Sequence, residues 1–360
     1  PILMSNRKKI LFVLPTLNMG GAEKVTVNIA NSLDSNIYNV IVLSLSSEFK
    51  ALEGYINSDI KLEYLNIKRV RYSIFFLFWK IAKIKPDIVF SSLLRTNIVL
   101  LLIKLYYSRF KLVIREPSMP SAFIKNKIIS KKTLYLIKFL YPFADKIIAQ
   151  SEYMRLDISK TYNIKLDKIK YLSNFLDKKK ILANTNSQKN PFYRYKTSIN
   201  FVYVGRLSDE KNPLFLAEVF KEVVKINNKF NLFFIGTGVL EGELIDFIYK
   251  NNLENNIHTL GFKLNPHPYI KYADGLLLPS KWEGMPNVVL ESFFLKTIVI
   301  ATNSTPVLSD MIDSGVNGFL VNNFNPKEYV KYILNYSCLL NEFKIIDNIN
   351  YNIFFKKYLA

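Results

Sequence analysis

The sequence has few of the residues that build covalent or metal-held scaffolds. Its 360 residues include one cysteine, Cys338, and two histidines, His258 and His267. A single cysteine excludes an internal disulfide framework and a cysteine-based zinc cluster. We therefore expect a cytosolic protein in which Cys338 is a small core residue rather than a nucleophile. We expect His258, on a strand, and His267, in a P-H-P turn, to be structural.

Long uncharged hydrophobic runs are also missing. No charge-free stretch approaches the ~20 residues that a helix needs to cross a bilayer. The apolar run after Lys9 soon reaches Asn18 and Gly20, which is not the pattern of a secretory signal peptide. The 360 residues are enough for two domains with separate cores.

Acidic residues are scarce, and one segment almost lacks them. The chain has a net charge of +20, and from Ile88 to Ala144 its only acidic residue is Glu116. Within that segment, residues 123–141 interleave lysines with large apolar side chains. Such a helix can lie on an anionic membrane surface, although a core helix with a basic solvent face fits equally well. Nucleic-acid binding is not expected, because the sequence contains no known nucleic-acid-binding signature.

Short apolar runs alternate with helical patterns along the whole chain, which predicts parallel sheets with helices on both faces. The first seven predicted strands are Ile10–Leu14, Val40–Leu45, Leu62–Ile67, Asp87–Ser91, Leu112–Arg115, Lys146–Ala149 and Ile169–Leu172. The next six are Asn200–Val204, Leu232–Gly236, Ile257–Gly261, Gly275–Leu278, Ile298–Ala301 and Gly318–Val321. Two such series predict an α/β protein with two Rossmann-like domains.

The expected domain boundaries follow from changes in this pattern. Residues 8–176 form the first domain and residues 198–335 the second. Between them, residues 177–197 lose apolar periodicity and gain Lys, Asn, Gln and Pro, as is typical of a linker. Residues 336–360 are expected to form a helical tail, and one interpretation is that it packs on the first domain.

The most informative segment, Ser280–Ser292, reads S-K-W-E-G-M-P-N-V-V-L-E-S. It follows an apolar run and precedes a helical pattern, which predicts a strand, a tight turn and a helix start. Helix starts at such strand ends bind anions, because free N–H groups and the helix dipole point outward. The carboxylates of Glu283 and Glu291 would repel a phosphate, whereas they can accept hydrogen bonds from sugar and ribose hydroxyls. The turn therefore predicts a nucleotide-sugar site.

Four weaker motifs lie at other predicted strand ends. They are L-N-M-G-G-A-E-K at Leu17–Lys24, V-G-R-L-S-D-E-K-N-P at Val204–Pro213, F-I-G-T-G at Phe234–Gly238 and L-G-F-K at Leu260–Lys263. Each alone is compatible with an ordinary solvated turn. Their glycines let the backbone approach a ligand closely.

Taken together and in this order, the motifs resemble those of glycosyltransferase family 4, from residue 8 to residue 335. The resemblance implies a GT-B fold, in which two Rossmann-like domains with parallel sheets face each other across a cleft. It also implies that the second domain holds a nucleotide-sugar donor and the first domain an acceptor. Retention of the anomeric configuration is implied in the same way.

Matched by position, four side chains receive roles from this resemblance. Arg206 and Lys211 would bind the donor diphosphate, Glu283 would bind the transferred sugar, and Glu291 would hold the ribose hydroxyls. Other positions are implied to contact the donor, several of them through their backbone. They are Gly21, Gly205, Gly236, Phe262, Gly284, Met285, Pro286, Asn287 and Val288.

The expected chemistry needs no cofactor and no metal ion. Cleavage of the donor develops negative charge on the leaving oxygen, and Arg206, Lys211 and a helix start can stabilise that charge. The sequence has no D-x-D triplet, the divalent-metal motif of the other common glycosyltransferase fold. Retaining glycosidases use two carboxylates that flank the bond, and with Glu291 assigned to the ribose no such pair is identified in this sequence. We therefore expect a dissociative same-face route in which the leaving phosphate deprotonates the acceptor.

One position departs from the family pattern. Many members carry a histidine at the end of a first-domain strand, where this chain reads Arg115-Glu116-Pro117. Glu116 is therefore a fourth catalytic candidate, beside the three side chains near the donor, and would contact the acceptor or the sugar. The alternative is a structural ion pair with Arg115 or Lys111.

The leading hypothesis is a hexosyl- or N-acetylhexosaminyltransferase of bacterial surface-polysaccharide assembly, for O-antigen or capsule. Its expected partners are a nucleotide-sugar donor, UDP-linked, a lipid-linked glycan acceptor and an anionic membrane surface. The expected location is the cytoplasm, peripheral on the inner face of the cell membrane. Two alternatives stay open: transfer to a soluble acceptor, and a non-catalytic membrane- or glycan-binding subunit of the same fold.

Overall fold

The computed structural model describes residues 7–67, 69–186, 188–339 and 351–359. These residues divide into two compact units, with the boundary between Leu176 and Asp177. The last described segment, 351–359, belongs to the first unit. Each unit is built around its own parallel sheet.

The first unit contains a seven-stranded sheet of order β3-β2-β1-β4-β5-β6-β7, in which every pair is parallel. Its strands are β1 (Lys8–Leu14), β2 (Tyr38–Ser44), β3 (Lys61–Tyr64), β4 (Ile88–Ser91), β5 (Lys111–Arg115), β6 (Lys146–Ala149) and β7 (Ile169–Tyr171). Its first six helices are α1 (Gly21–Asn31), α2 (Ile74–Ile84), α3 (Leu94–Tyr106), α4 (Pro120–Lys125), α5 (Lys131–Leu140) and α6 (Glu152–Tyr162).

The second unit contains a six-stranded sheet of order β10-β9-β8-β11-β12-β13, again with every pair parallel. Its strands are β8 (Ile199–Val204), β9 (Phe230–Ile235), β10 (Ile257–Thr259), β11 (Gly275–Leu278), β12 (Val299–Thr302) and β13 (Gly318–Val321). Its helices are α7 (Lys178–Asn186), α8 (Pro213–Ile226), α9 (Glu241–Lys250), α10 (His267–Tyr272), α11 (Asn287–Phe294), α12 (Pro306–Met311) and α13 (Pro326–Leu334).

Side chains of the first sheet point alternately into two apolar cores. On β1, Leu11 and Val13 enter the core beneath α2, α3, α5 and α6, whereas Ile10 and Phe12 enter the core beneath α1. The alternation follows from the two-residue period of a strand. A sheet covered on both faces needs apolar side chains at both sets of positions, which explains the near-continuous apolar runs of the sequence.

A final helix, α14 (Tyr351–Leu359), completes the core beneath α1. Phe355 is fully buried there, and its ring lies 6.4 Å from that of Phe12 and 6.2 Å from that of Phe90. The Tyr351 hydroxyl donates to the Ser173 carbonyl oxygen at 3.1 Å. The predicted helical tail, residues 336–360, is otherwise described only at 336–339.

All thirteen predicted strands form, so the expected α/β fold with two parallel sheets is confirmed. Three expectations need correction. The predicted linker, residues 177–197, contains α7 within the second unit, because the Asp177 carboxylate caps the helix by accepting from the Lys180 backbone N–H. His267 begins α10 rather than lying in a turn, since the prolines beside it fit a helix start.

The third correction is Cys338, which is exposed rather than in the core. It ends a short 3-10 turn after α13, and the neighbouring Leu339 takes the buried position instead. Within the described ranges, no helix combines the length and apolarity that a membrane crossing requires.

Candidate functional site

The sheet of the second unit has one switch point, between β8 and β11. These strands are neighbours, yet β8 leads to β9 on one side and β11 leads to β12 on the other. Such a point opens a crevice at the carboxyl ends of the strands, where open α/β sheets bind ligands. The loop after β8, residues 205–212, and the loop after β11, residues 279–286, both begin at this edge.

Two bonds of Lys281 join these loops directly. Its backbone N–H donates to the Glu210 carbonyl oxygen at 2.8 Å, and its Nζ lies 2.5 Å from Asp209 Oδ1. The predicted motifs V-G-R-L-S-D-E-K-N-P and S-K-W-E-G-M-P-N, far apart in sequence, are thus brought together.

Glu283 lies at the centre of this junction. Its side chain is buried, and its Oε1 accepts from Lys211 Nζ at 2.5 Å and from Ser280 Oγ at 2.7 Å. No residue that the structure describes donates to the other oxygen, Oε2. The carboxylate is therefore fixed in place through one oxygen while the other keeps its capacity to accept hydrogen bonds.

Lys211 reaches Glu283 because of the turn that precedes α8. Asp209–Lys211 form one 3-10 turn, and Asn212 follows in the left-handed region at φ 55°. Asparagine tolerates this conformation, and Pro213 then begins the helix. The sequence order D-E-K-N-P is thus that of a tight turn followed by a helix start.

Arg206 is held less tightly than Lys211. Its side chain is 66% exposed, and its Nη1 lies 3.7 Å from Glu210 Oε1. Its carbonyl oxygen, in contrast, accepts from the Tyr203 hydroxyl at 2.6 Å. Burial raises the pKa of Tyr203, so this hydroxyl stays protonated and fixes the backbone that carries the guanidinium.

Gly236 and Gly205 lie at the exits of adjacent strands, where two backbones touch. Gly236 has φ 141°, and a Cβ atom there would lie 1.9 Å from the Gly205 carbonyl oxygen. Only glycine can occupy such a position. Gly236 N–H donates to the Gly261 carbonyl oxygen at 2.9 Å, and Phe262 follows as a half-exposed side chain.

The start of α11 has the form expected of an anion-binding helix. Residues 284–286 are buried, and Pro286 is the N-cap residue. A proline has no side-chain acceptor, so it cannot cap the first-turn N–H groups of Asn287 and Val288. Met285 is buried beside the turn. Binding of a phosphate by this backbone stays a prediction.

Glu291 lies further along α11, against a histidine of α10. Its side chain is buried, and its Oε2 lies 3.7 Å from Nε2 of His267. His267 is itself buried, and neither of its ring nitrogens has a hydrogen-bond partner among the residues that the structure describes. His258, the other histidine, stacks on Phe233 with the ring centroids 4.7 Å apart.

In the first unit, the G-G-A-E motif lies at the corresponding switch point, between β1 and β4. Gly20 is the N-cap residue of α1 and Gly21 its exposed first residue. A Cβ atom on Gly20 would lie 2.1 Å from Glu23 Oε2. The motif therefore lies between the carboxyl end of β1 and the start of α1, and the predicted approach of Gly21 to the diphosphate stays a prediction.

Glu116 is fully buried just after β5. Its Oε1 accepts from the Tyr141 hydroxyl at 2.6 Å, and its carbonyl oxygen accepts from Gln150 Nε2 at 2.6 Å. Burial raises the pKa of Glu116 to about 8, against the opposing effects of Tyr141 and Arg115. Its carboxyl is thus protonated at neutral pH and has no exposed surface.

The alternative expectation for Glu116, an ion pair with Arg115 or Lys111, is not what forms. The Arg115 guanidinium instead donates to Ser92 Oγ at 2.9 Å and to Asn174 Oδ1 at 2.5 Å. Arg115 and Glu116 thus each bond to other residues of the first unit rather than to each other. Burial lowers the pKa of Arg115 to about 10.

Sequence reasoning missed three side chains of the second unit's site. Ser280 and Tyr203 carry a local signal, since each stands three residues before the site residue that it contacts, Glu283 and Arg206. His267 reaches Glu291 from another helix, through a contact that spacing does not reveal. In the described part of the chain, no three His, Cys, Asp or Glu side chains are grouped so that they could hold a metal ion.

Comparison with known proteins identifies the family. Residues 19–180 match the family model described as Glycosyltransferase Family 4, and residues 184–338 match that of glycosyl transferases group 1. An uncharacterized glycosyltransferase of Methanocaldococcus jannaschii is 30% identical over 75% of this chain and 73% of its own length. The chain belongs to glycosyltransferase family 4.

Two further comparisons bear on this family 4 enzyme. A Campylobacter jejuni relative is 27% identical over 87% of this chain and 86% of its own length. It is the N-acetylgalactosamine-N,N'-diacetylbacillosaminyl-diphospho-undecaprenol 4-alpha-N-acetylgalactosaminyltransferase. The crystal structure of Anabaena HepE with UDP and glucose superposes with a TM-score of 0.81 at 18% identity, over 98% of this chain and 99% of HepE. The chain is thus a glycosyltransferase of the GT-B type.

Proposed function

We propose that this family 4 enzyme is a retaining, metal-independent transferase. It moves a sugar from a UDP-sugar to a lipid-linked oligosaccharide in bacterial surface-polysaccharide assembly, peripherally on the inner face of the cell membrane. The observation that carries the proposal is Glu283, fixed by Lys211 and Ser280 at the switch point of the second sheet. In this proposal Oε2 of Glu283 accepts hydrogen bonds from hydroxyls of the transferred sugar.

The neighbouring cations suit a diphosphate leaving group. Lys211 lies against Glu283 and would meet the donor where sugar and phosphate join. The exposed guanidinium of Arg206 can form two parallel hydrogen bonds with phosphate oxygens. Together with the start of α11, these groups stabilise the charge that develops when the bond to the sugar breaks. No step of this scheme requires a metal ion.

The contacts of the two glutamates support separate roles. Glu291 lies against His267 in the helix, and we assign it to the ribose hydroxyls. Glu283 is held by a cation and a hydroxyl, which suits a hydrogen-bonding role toward the sugar rather than the role of a glycosidase nucleophile. We therefore propose that the leaving phosphate takes the proton of the acceptor hydroxyl. A contact of Glu116 with the acceptor or the sugar stays a prediction, and it requires this fully buried carboxyl to become accessible.

The comparisons support the donor and acceptor classes. HepE was crystallised with UDP and glucose, and the name of the Campylobacter relative specifies a sugar chain on diphospho-undecaprenol. A lipid-linked acceptor places the enzyme at a membrane surface. The lysine-rich segment from Ile88 to Ala144 suits such a location.

A donor panel tests the proposal directly. UDP-, GDP- and ADP-sugars are added to the protein in EDTA, and both thermal shift and donor hydrolysis are measured. We expect UDP-sugars alone to raise Tm and to be slowly hydrolysed. Lys211→Met should abolish the shift, whereas Lys281→Met, in the neighbouring surface pair with Asp209, should keep it. Stabilisation by no nucleotide sugar, or only after a divalent cation is added, would contradict the proposal.

A further inference from the structure

One layer of helices in the first unit carries no negative charge. The four helices from α2 to α5 contain no Asp or Glu and eight Lys or Arg residues. Helices α8 and α9 of the second unit, by contrast, contain five acidic residues. Acidic residues return in α6, with Glu152 and Asp157. The basic character is therefore local to these four helices rather than a uniform property of the chain.

Helix α2 in this layer is apolar on its solvent side as well as on its core side. Leu77 and Ile81 are buried against the sheet, one turn apart. On the opposite side, Phe75, Phe76 and Trp79 are 63%, 58% and 59% exposed. The Phe75 ring lies 5.9 Å from that of Phe76 and 6.2 Å from that of Trp79. Exposed rings beside an exposed lysine, here Lys83, are typical of a helix that lies in a lipid interface.

Helix α5 repeats this arrangement. Ile137 and Leu140 enter the core, while Tyr135 and Phe139 are exposed. Exposed lysines stand between and beside these rings, as at Lys138. Large apolar groups alternating with lysines on a solvent-facing side are typical of helices that lie in a lipid interface.

The two helices face the same way. Leu77 and Ile81 of α2 and Ile137 of α5 belong to one core, on one side of the sheet, and α3 lies in contact with both helices. The end of α3 adds the exposed Tyr106 to their solvent side. We call this surface the aromatic–lysine face. It is defined by Phe75, Phe76, Trp79, Lys83, Tyr106, Lys131, Lys132, Tyr135, Lys138 and Phe139.

We propose that the aromatic–lysine face inserts its rings into the interfacial region of an anionic phospholipid bilayer. Exposed apolar patches of this kind mark interaction sites, and tryptophan and tyrosine favour the membrane–water interface. Each lysine near an anionic surface adds to the electrostatic attraction. The lack of carboxylates on these helices removes the groups that anionic headgroups would repel. The proposal rests on the proposed membrane-peripheral function and assigns its contact surface, including α2, which lies outside the basic segment of the sequence.

Trp79 provides a direct probe, because the chain has only one other tryptophan, Trp282. The protein is titrated with vesicles of phosphatidylcholine and phosphatidylglycerol in equal parts. The emission that Trp79 contributes, obtained by subtracting the spectrum of Trp79→Phe, should shift to the blue. It should also be quenched by lipids brominated along the acyl chains. Emission that stays unshifted while the protein is vesicle-bound would overturn the proposal.

Paired variants test the same surface by vesicle flotation. Replacing Phe75, Phe76 and Trp79 together by Ser should weaken partitioning at least about tenfold, since three exposed rings are lost. The matched control, Ile226→Ser with Tyr249→Ser, removes two side chains of similar exposure from the second unit and should float like the wild type. Equal flotation of the triple variant and the wild type would overturn the proposal.

Sedimentation and donor hydrolysis complete the design. If the wild type is a dimer that does not bind vesicles and the triple variant is a monomer, the face holds a second copy of the chain. This result would overturn the proposal. Donor hydrolysis without vesicles should be the same in the triple variant and the wild type, since the replaced side chains are exposed on α2 and none belongs to the residues assigned to the donor. Loss of flotation with hydrolysis intact supports the membrane face. If the wild type floats with vesicles but neither binds nor hydrolyses any donor, the proposed transferase function is refuted instead.

Discussion

Gly236 shows how a single residue positions the site. Its φ of 141° and the 1.9 Å approach of a Cβ atom to the Gly205 carbonyl oxygen leave no room for a side chain. We expect Gly236→Ala to lower the free energy of unfolding by about 2–4 kcal/mol, through backbone strain and displacement of the Gly205 loop. Urea denaturation measures this change.

Gly242 is the control for this substitution. It lies in the first turn of α9, and a Cβ atom there would meet nothing within 4 Å. Gly242→Ala should therefore raise stability by up to about 1 kcal/mol, the helix preference of alanine over glycine. Equal losses in both variants would mean that the close approach at Gly236 is not what requires glycine there.

Glu116 predicts a specific dependence of stability on pH. Burial raises its pKa from 4.5 to about 8 in the folded protein, with Asp157 adding to the rise and Tyr141 and Arg115 opposing it. The folded state thus holds a proton that the unfolded chain loses above its own pKa. The contribution is complete below pH 4.5 and is lost as pH rises through about 8.

Replacing Glu116 by Gln removes this titration and keeps an acceptor for the Tyr141 hydroxyl. Between pH 5 and pH 8, wild-type stability should fall relative to Glu116→Gln by on the order of 1–3 kcal/mol. Denaturation curves at several pH values measure the difference. The exposed Glu254→Gln should show no such trend, and a wild type that gains stability relative to Glu116→Gln as pH rises would contradict the assignment.

For individual residues, the sequence is enough to identify Glu283 and Lys211 as candidate site residues. It does not show which contacts hold their side chains in place. Both stand in motifs with local chemistry, at strand ends and beside helix starts. The contact of Lys211 with Glu283, the burial of Glu116 against Tyr141 and the exposure of Cys338 depend on packing between elements. Composition places a cysteine in the core on average, whereas here the neighbouring Leu339 takes that position.

Among the elements, α14 ties the end of the chain to the first unit. Phe355 is buried among Phe12, Tyr38 and Phe90. Phe355→Ala should cost about 3–5 kcal/mol, because it deletes a fully buried ring and leaves a cavity. Thermal unfolding would reveal the loss. Ile353→Ala, on the exposed side of the same helix, should change stability by less than about 0.5 kcal/mol, and equal effects would show that α14 does not dock through this ring.

The strands were predictable because buried parallel strands leave a strong signal, a short apolar run between turn residues. Helix α7 was not, because its sequence K-K-K-I-L-A-N-T-N is mostly polar and only Ile181 and Thr185 are buried. Its stability comes from a cap at Asp177 and from contact with α10. Tertiary packing of this kind overrides the local composition that indicates a linker.

For the whole molecule, two parallel sheets with the strand orders found here place the informative motifs at corresponding positions. The motif G-G-A-E lies at the switch point of the first sheet, and the loops of Lys211 and Glu283 lie at that of the second. This correspondence explains how short, individually weak motifs could indicate a GT-B glycosyltransferase. The net charge of +20 is unevenly distributed, since the helices from α2 to α5 contain eight Lys or Arg residues and no Asp or Glu.

The most important assignment is that of Glu283 as the residue that binds the transferred sugar. The test is the rate of sugar transfer from a UDP-sugar to a diphospho-undecaprenol-linked acceptor by the wild type, by Glu283→Gln and by the surface control Asp209→Asn. We predict that Glu283→Gln loses roughly 100-fold or more of the rate while its Tm stays within about 3 °C. Asp209→Asn should stay within roughly twofold of the wild type, since its exposed pair with Lys281 contributes little. A folded Glu283→Gln enzyme that transfers at the wild-type rate would contradict the central claim.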